Sequence, residues 1–221
     1  MKTYQDFKKD EVIESKINVT CIGAFDGLHR GHIELIKKTK EIDNNFQIVT
    51  FNEIPKIYFD NNLKPLLNND KRNNIFNEYE PTNLIYLKFD EINELSSDEF
   101  LKFLDTNLNT NKIVVGKDFK FGKNRTGDVN NIINYFGKDN VILLADYLIE
   151  NEKVSSTKIR KYLDNGNIKQ ANKFLGRKYE LVGKVVEGLK MGSELGFPTA
   201  NIKLDYDLYL PKFGVYGINC K

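Results

Sequence analysis

From Ile17 to about Leu148, short apolar runs alternate with stretches of helical period. INVTCIGAF (17–25), FQIVTF (46–51), NLIYLKF (83–89), KIVVGKDF (112–119) and NVILLADYL (140–148) are rich in β-branched and aromatic residues and read as strands. HIELIKKTKEI (32–42) sets Ile33, Leu35 and Ile36 among lysines and predicts an amphipathic helix. Ser96 with Glu99 three residues on is a capping-box signal, and Phe100, Phe103 and Leu104 line one stripe of a helix over about 97–108. Strands that are apolar almost throughout, separated by helices, predict an α/β chain: a doubly wound parallel sheet covered on both faces.

A helix is predicted over 155–165, with Ser155 or Ser156 as its cap and Gly166 at its left-handed stop, and a shorter one over 168–174. The texture then changes. Seven glycines fall between Gly176 and Lys221, no helical period is visible, and YELVGKVV and GVYGINC are β-type runs. This places a domain boundary near 175, dividing the chain into 1–175 and 176–221.

Composition narrows the class without naming it. The 221 residues are 40% hydrophobic and 29% charged, with a net charge of +2. Bulk charge so balanced gives no reason to expect nucleic acid or a membrane surface as partner. Cys21 and Cys220 form no metal spacing and read as reduced thiols. The charged start MKTYQDFKKD lacks an apolar signal core, and no apolar run approaches the roughly 18 residues of a membrane span. The expectation is a cytoplasmic protein.

The chemistry concentrates in Gly23-Ala24-Phe25-Asp26-Gly27-Leu28-His29-Arg30-Gly31-His32, at the end of the first predicted strand and the start of the first helix. Ligands of open α/β sheets bind at such places. Glycines let the backbone approach a phosphate, and a helix start offers unpaired N–H groups and partial positive charge. The chain has two histidines, both here. Imidazole donates hydrogen bonds to phosphate oxygens and, as a cation, offsets charge on a leaving pyrophosphate. Two histidines falling on a helix start by chance is the plain alternative; the agreement of strand, glycines and helix argues against it.

This segment resembles the G-x-F-D-G-x-H-x-G-H signature of the nucleotidylyltransferase superfamily, and more closely the bacterial bifunctional riboflavin kinase/FAD synthetase family. Val115-Gly116-Lys117-Asp118-Phe119-Lys120-Phe121-Gly122 followed by Gly127-Asp128 is similar to that family's flavin-side loop. Val154-Ser155-Ser156-Thr157-Lys158-Ile159-Arg160 is similar to its S-S-T-x-I-R element, and Leu195-Gly196-Phe197-Pro198-Thr199-Ala200-Asn201 to the kinase half's G-F-P-T-A-N element. Taken alone, the first of these reads equally as two core phenylalanines and the second as an ordinary serine cap. One departure stands out. The family's Phe-x-Pro-His-Pro run is here Phe51-Asn52-Glu53-Ile54-Pro55, without the histidine.

The resemblance implies a Rossmann-like transferase domain over 1–175 that makes FAD and pyrophosphate from ATP and FMN, with Mg²⁺ bridging phosphate oxygens. It implies His29, His32 and Arg160 as catalytic residues, with Ser156, Thr157 and Arg160 closing over the phosphates. Gly23, Phe25, Asp26, Gly27, Gly31, Ser155, Ser156 and Thr157 would form the ATP site. Asp26 either holds the turn or orients a histidine. Asp118, Phe119 and Phe121 would face the flavin, Asp118 alternatively the metal side. In 176–221 the resemblance implies the first part of a riboflavin kinase β-barrel, with Gly188, Gly192, Pro198, Thr199 and Asn201 as its remnant and Thr199 and Asn201 toward Mg²⁺; the stretch Gly188 to Gly192 reads as a phosphate loop or as a plain β-turn. Forty-six residues cannot close that barrel, so riboflavin kinase activity is expected only if the rest is supplied. A fragment, a shortened gene and a split enzyme all fit. The rival readings are another small-molecule nucleotidylyltransferase and a non-catalytic flavin- or nucleotide-binding remnant.

Overall fold

The computed structural model describes residues 1–187, 199–204 and 207–220. Its centre is a six-stranded sheet of β1 (Lys2–Phe7), β2 (Ile17–Ile22), β3 (Phe46–Phe51), β4 (Asn83–Leu87), β5 (Thr110–Gly116) and β6 (Val141–Leu144), in the order β1-β4-β3-β2-β5-β6. Every neighbouring pair is parallel. Strands β3 and β4 are buried throughout, β2 and β5 over most of their length, and their side chains alternate between two cores with the period of two that a strand imposes. Ile22, Val49, Phe51, Ile85, Leu87, Ile113 and Val115 face one. Val19, Cys21, Phe46, Ile48, Leu84, Tyr86 and Val114 face the other.

Helix α1 (Arg30–Ile42) packs Leu35 and Ile36 onto the second core. A short α2 (Pro55–Phe59) follows β3, and α3 (Asn69–Asn77) adds Phe76 to the second core. On the opposite face lie α4 (Phe89–Ile92), α5 (Ser97–Thr106) and α6 (Val129–Phe136). The doubly wound architecture expected of the sequence is therefore present. Strand ends differ where polar turns begin: the first expected strand stops at Ile22 rather than Phe25, and the fifth at Leu144 rather than Leu148.

A hairpin of β7 (Leu148–Ile149) and β8 (Glu152–Lys153) leads into α7 (Ser156–Asp164) and α8 (Ile168–Leu175). Ile159, Leu163, Phe174 and Leu175 form a third core with Leu66 and Val154, and Tyr179 and Tyr209 pack against it. Beyond lies an antiparallel pair, β9 (Gly183–Val186) with β10 (Asn201–Leu204). Thr199 and Asn201 are exposed there. Gly188, Gly192 and Pro198 lie outside the described residues.

Candidate active site

Strand order reverses between β2 and β5: β3 and β4 lie to one side of β2, β5 and β6 to the other. The carboxyl ends of β2 and β5 thus bound the crevice where open α/β sheets bind ligands. Both motif loops open there, Gly23–His29 after β2 and Lys117–Phe121 after β5.

The first loop is held in a costly shape. Phe25, Gly27 and Leu28 have φ of 50°, 76° and 40°. For a residue with a side chain that conformation persists only where its surroundings enforce it. Gly27 is fixed by space as well, since a Cβ there would lie 3.0 Å from the Leu66 side chain. Leu28 and Phe25 are fully buried. Phe25 meets Phe76 and His32 edge-on, each at 5.4 Å between ring centroids.

His29 caps α1: its Nδ1 accepts the His32 backbone N–H at 3.3 Å. A neutral imidazole that accepts at Nδ1 carries its proton on Nε2. The His32 ring stacks on it with centroids 3.5 Å apart and planes 15° from parallel. Burial pushes the His29 imidazole down to about 3, with the Arg177 charge acting in the same direction. Burial, then His29, Arg72 and Arg177, hold His32 well below the usual imidazole range. The pair is therefore held neutral at pH 7, which fits the hydrogen-bond-donor part of the sequence expectation rather than the cationic part. A neutral imidazole can serve a phosphate as an N–H donor. The Nδ1 of His32 is buried without a hydrogen-bond partner, an unsatisfied polar atom beside the stacked rings.

Asp26 holds the turn. Its Oδ1 accepts the Leu66 N–H at 3.1 Å, and its Oδ2 pairs with Arg160 at 2.7 Å. Arg160 is 5% exposed and also donates to the Lys64 carbonyl at 2.8 Å, while its Nε and Nη1 have no partner. Ser155 caps α7 by accepting from the Lys158 N–H, and Ser156 Oγ donates to the Asp26 carbonyl at 2.7 Å. Thr157 is exposed at the same helix start, with Lys56 donating to its hydroxyl at 3.4 Å. The S-S-T-x-I-R element is in this way sewn to the histidine loop. Gly31 lies in the first turn of α1 between them, with His29 and Tyr147 within contact distance of a Cβ there.

The second loop divides its residues. Phe121 is 6% exposed and packs on Phe100 of α5 at 5.3 Å, as a core residue would. Phe119 is half-buried and stacks on Phe121 at 5.6 Å. Phe121 and Gly127 exchange backbone hydrogen bonds, and a Cβ on Gly127 would come within 2.6 Å of the Phe121 ring, so only glycine closes the loop. Asp118 is exposed and ion-paired with Lys153, which also holds Asp146 at 2.8 Å. Where the family has a histidine after β3, Ile54 is buried at the position before α2, its side chain making no capping hydrogen bond.

Two arginines escaped the sequence reading. Arg72 of α3 is 1% exposed and donates to Thr50 Oγ1, the Phe51 carbonyl and Asn69 Oδ1. Arg177 donates to the carbonyls of Gly27 and Leu28 at 2.6 and 2.9 Å. Neither sits in a recognisable motif: one lies in a polar, Asn-rich stretch, the other just past a helix stop.

The FAD synthetase family model matches residues 12–158, and the riboflavin kinase model residues 175–221. This chain belongs to the FAD synthetase family. It is 36% identical over 217 residues to the bifunctional riboflavin kinase/FMN adenylyltransferase of Buchnera aphidicola subsp. Schizaphis graminum, covering 92% of this chain and 69% of that one. The Bacillus subtilis protein of the same description is 32% identical, with 94% and 69% covered. Among solved structures, a Streptococcus pneumoniae chain described as a macrolide-efflux protein superposes with a TM-score of 0.85 at 30% identity, covering 98% of this chain and 73% of that one. No helix among the described residues here is long and apolar enough to cross a membrane.

Proposed function

We propose that this chain transfers AMP from ATP to FMN, giving FAD and pyrophosphate. An oxygen of the FMN phosphate attacks the α-phosphorus of ATP, a new P–O bond forms, and the bond to the bridging oxygen of the β-phosphate breaks. No covalent enzyme intermediate is required, so the protein's work is positioning and charge stabilisation. The observation that carries this reading is the neutral, stacked pair His29 and His32 at a helix start on the switch point of the sheet.

In this reading the N–H donors of His29 and His32 and the first turn of α1 receive the triphosphate. Arg160 offers its unpartnered nitrogens Nε and Nη1, and Ser155, Ser156 and Thr157 bring the start of α7 to the same phosphates. Asp26 acts through Arg160 and the turn rather than on substrate. Phe119 is the aromatic available to the flavin, with Phe121 as its backing and Asp118 at the rim. Among the described residues no group of three carboxylates, histidines or cysteines forms a metal cage, and both oxygens of Asp26 are engaged. Magnesium would enter with ATP, bridging phosphate oxygens and held mostly by phosphate and water.

Incubation with Mg-ATP and FMN, resolved by chromatography, is expected to give FAD and pyrophosphate. His29→Ala and His32→Ala are each expected to lower kcat by about 100-fold or more, while melting as cooperatively as the parent. Pyrophosphate release with another phosphate acceptor but not with FMN would overturn the assignment. Near-parental turnover in both variants would overturn the roles of the histidines.

A further inference from the structure

A strap of chain outside the transferase motifs crosses the back of this site. Leaving α8, Arg177 grips the carbonyls of Gly27 and Leu28, and the Tyr179 N–H donates to Asn172 Oδ1 at 2.6 Å. The chain returns at 207–212. There the Tyr209 N–H donates to the Pro65 carbonyl and the Lys212 N–H to the Leu163 carbonyl, each at 2.9 Å. The Tyr179 hydroxyl donates to the Tyr209 carbonyl, tying the two passes together. Leu208 is 4% exposed, so the return pass is docked rather than loosely laid.

Tyr209 ends up against Arg160. The guanidinium carbon lies 5.2 Å from the centroid of the Tyr209 ring, whose hydroxyl donates to Asp164 Oδ1 at 2.6 Å. Asp26 and the Lys64 carbonyl both engage a single nitrogen of Arg160, Nη2. Those two contacts hold one nitrogen of the buried group; the Tyr209 ring, with the guanidinium carbon over it, adds a hold on the rest of the plane and cation–π attraction.

We propose that Tyr209, which lies in the segment matched by the riboflavin kinase model, is a positioning residue for adenylyl transfer: its ring fixes the plane of Arg160 so that Nε and Nη1 face the incoming triphosphate. This rests on the role given to Arg160 above. The transferase site is then incomplete at residue 175 and takes its last support from the following segment.

The test uses the full chain and steady-state FAD formation, with ATP and FMN varied separately. Tyr209→Phe keeps the ring and is expected to stay within about threefold of the parent. Tyr209→Leu keeps apolar bulk without the π face and is expected to lower kcat/KM for ATP about tenfold, leaving KM for FMN unchanged. Tyr209→Met gives the same comparison should the leucine variant lose its fold in circular-dichroism melts. In an Arg160→Ala background, Tyr209→Leu is expected to add less than about twofold, because it acts through the group already removed. Parental kcat/KM in folded Tyr209→Leu or Tyr209→Met, or the full loss repeated in the Arg160→Ala background, overturns the proposal. Parental turnover in Arg160→Ala itself overturns the role of Arg160 and this inference with it; a crippled Arg160→Ala beside an unaffected Tyr209→Leu overturns the inference alone.

Discussion

Two imidazoles stacked inside a helix start are compatible with burial only while neutral. The unfolded chain binds protons on both as pH falls through about 6.5, whereas the native site resists until about pH 3 at His29. Unfolding therefore takes up protons in that window, and native stability falls as pH drops through it. Between pH 7 and pH 5 His29 alone is expected to cost about 2 kcal/mol, read as a lower urea midpoint; His29→Gln should flatten the dependence, and an unchanged slope would contradict the burial argument. The pair was legible in the sequence because its spacing is short and local. Asp26 was legible as a holder of the turn but not in its partners, since Leu66 and Arg160 are brought to it by tertiary contacts. Arg72 was invisible: an arginine among asparagines carries no sign that Thr50 and Phe51 will receive it.

At the level of elements, the central strands and α1, α5, α7 and α8 announce themselves through apolar period and caps. The capping box on α5 is complete: Ser96 Oγ accepts the Glu99 N–H, and the Glu99 carboxylate accepts the Ser96 N–H at 2.8 Å. Ser96→Ala is expected to lower unfolding free energy by about 1 kcal/mol with an unchanged denaturant slope, and Ser96→Thr to restore most of it. Strand β1 was not legible, because it pairs on one side only and exposes most of its side chains, so KTYQDF has no apolar signature. Helix α3 is equally polar in sequence and is specified by its Asn68 cap and by Arg72 and Phe76 on its buried face. Helix α6 starts from a box built by Asp128 and Asn131, a pairing less conspicuous than Ser with Glu.

Across the whole molecule, composition changes at Gly176 while packing does not. Arg177 holds the histidine loop, and Tyr179 and Tyr209 pack against the third core, so contacts made in space cross the boundary expected near 175. The other part of that region is thin. Among the described residues after α8, the strands are β9 and β10 alone, with Val185 73% and Ile202 51% exposed and Phe213 fully in solvent. The riboflavin kinase model matches this stretch, 175–221, and riboflavin kinase activity is expected only if the rest of that half is supplied; FMN appearing on a chromatogram of riboflavin with Mg-ATP and this chain alone would refute that.

The stacked pair has a practical corollary. With two histidines in the composition and their rings face to face, isotopic labelling of that amino acid alone lights up the proposed reaction centre and nothing else. Each ring lies in the magnetic shadow of the other, so a nucleotide that parts or tilts them would shift both sets of resonances together. The protein thus carries its own reporter, readable by magnetic resonance before any other signal has been assigned.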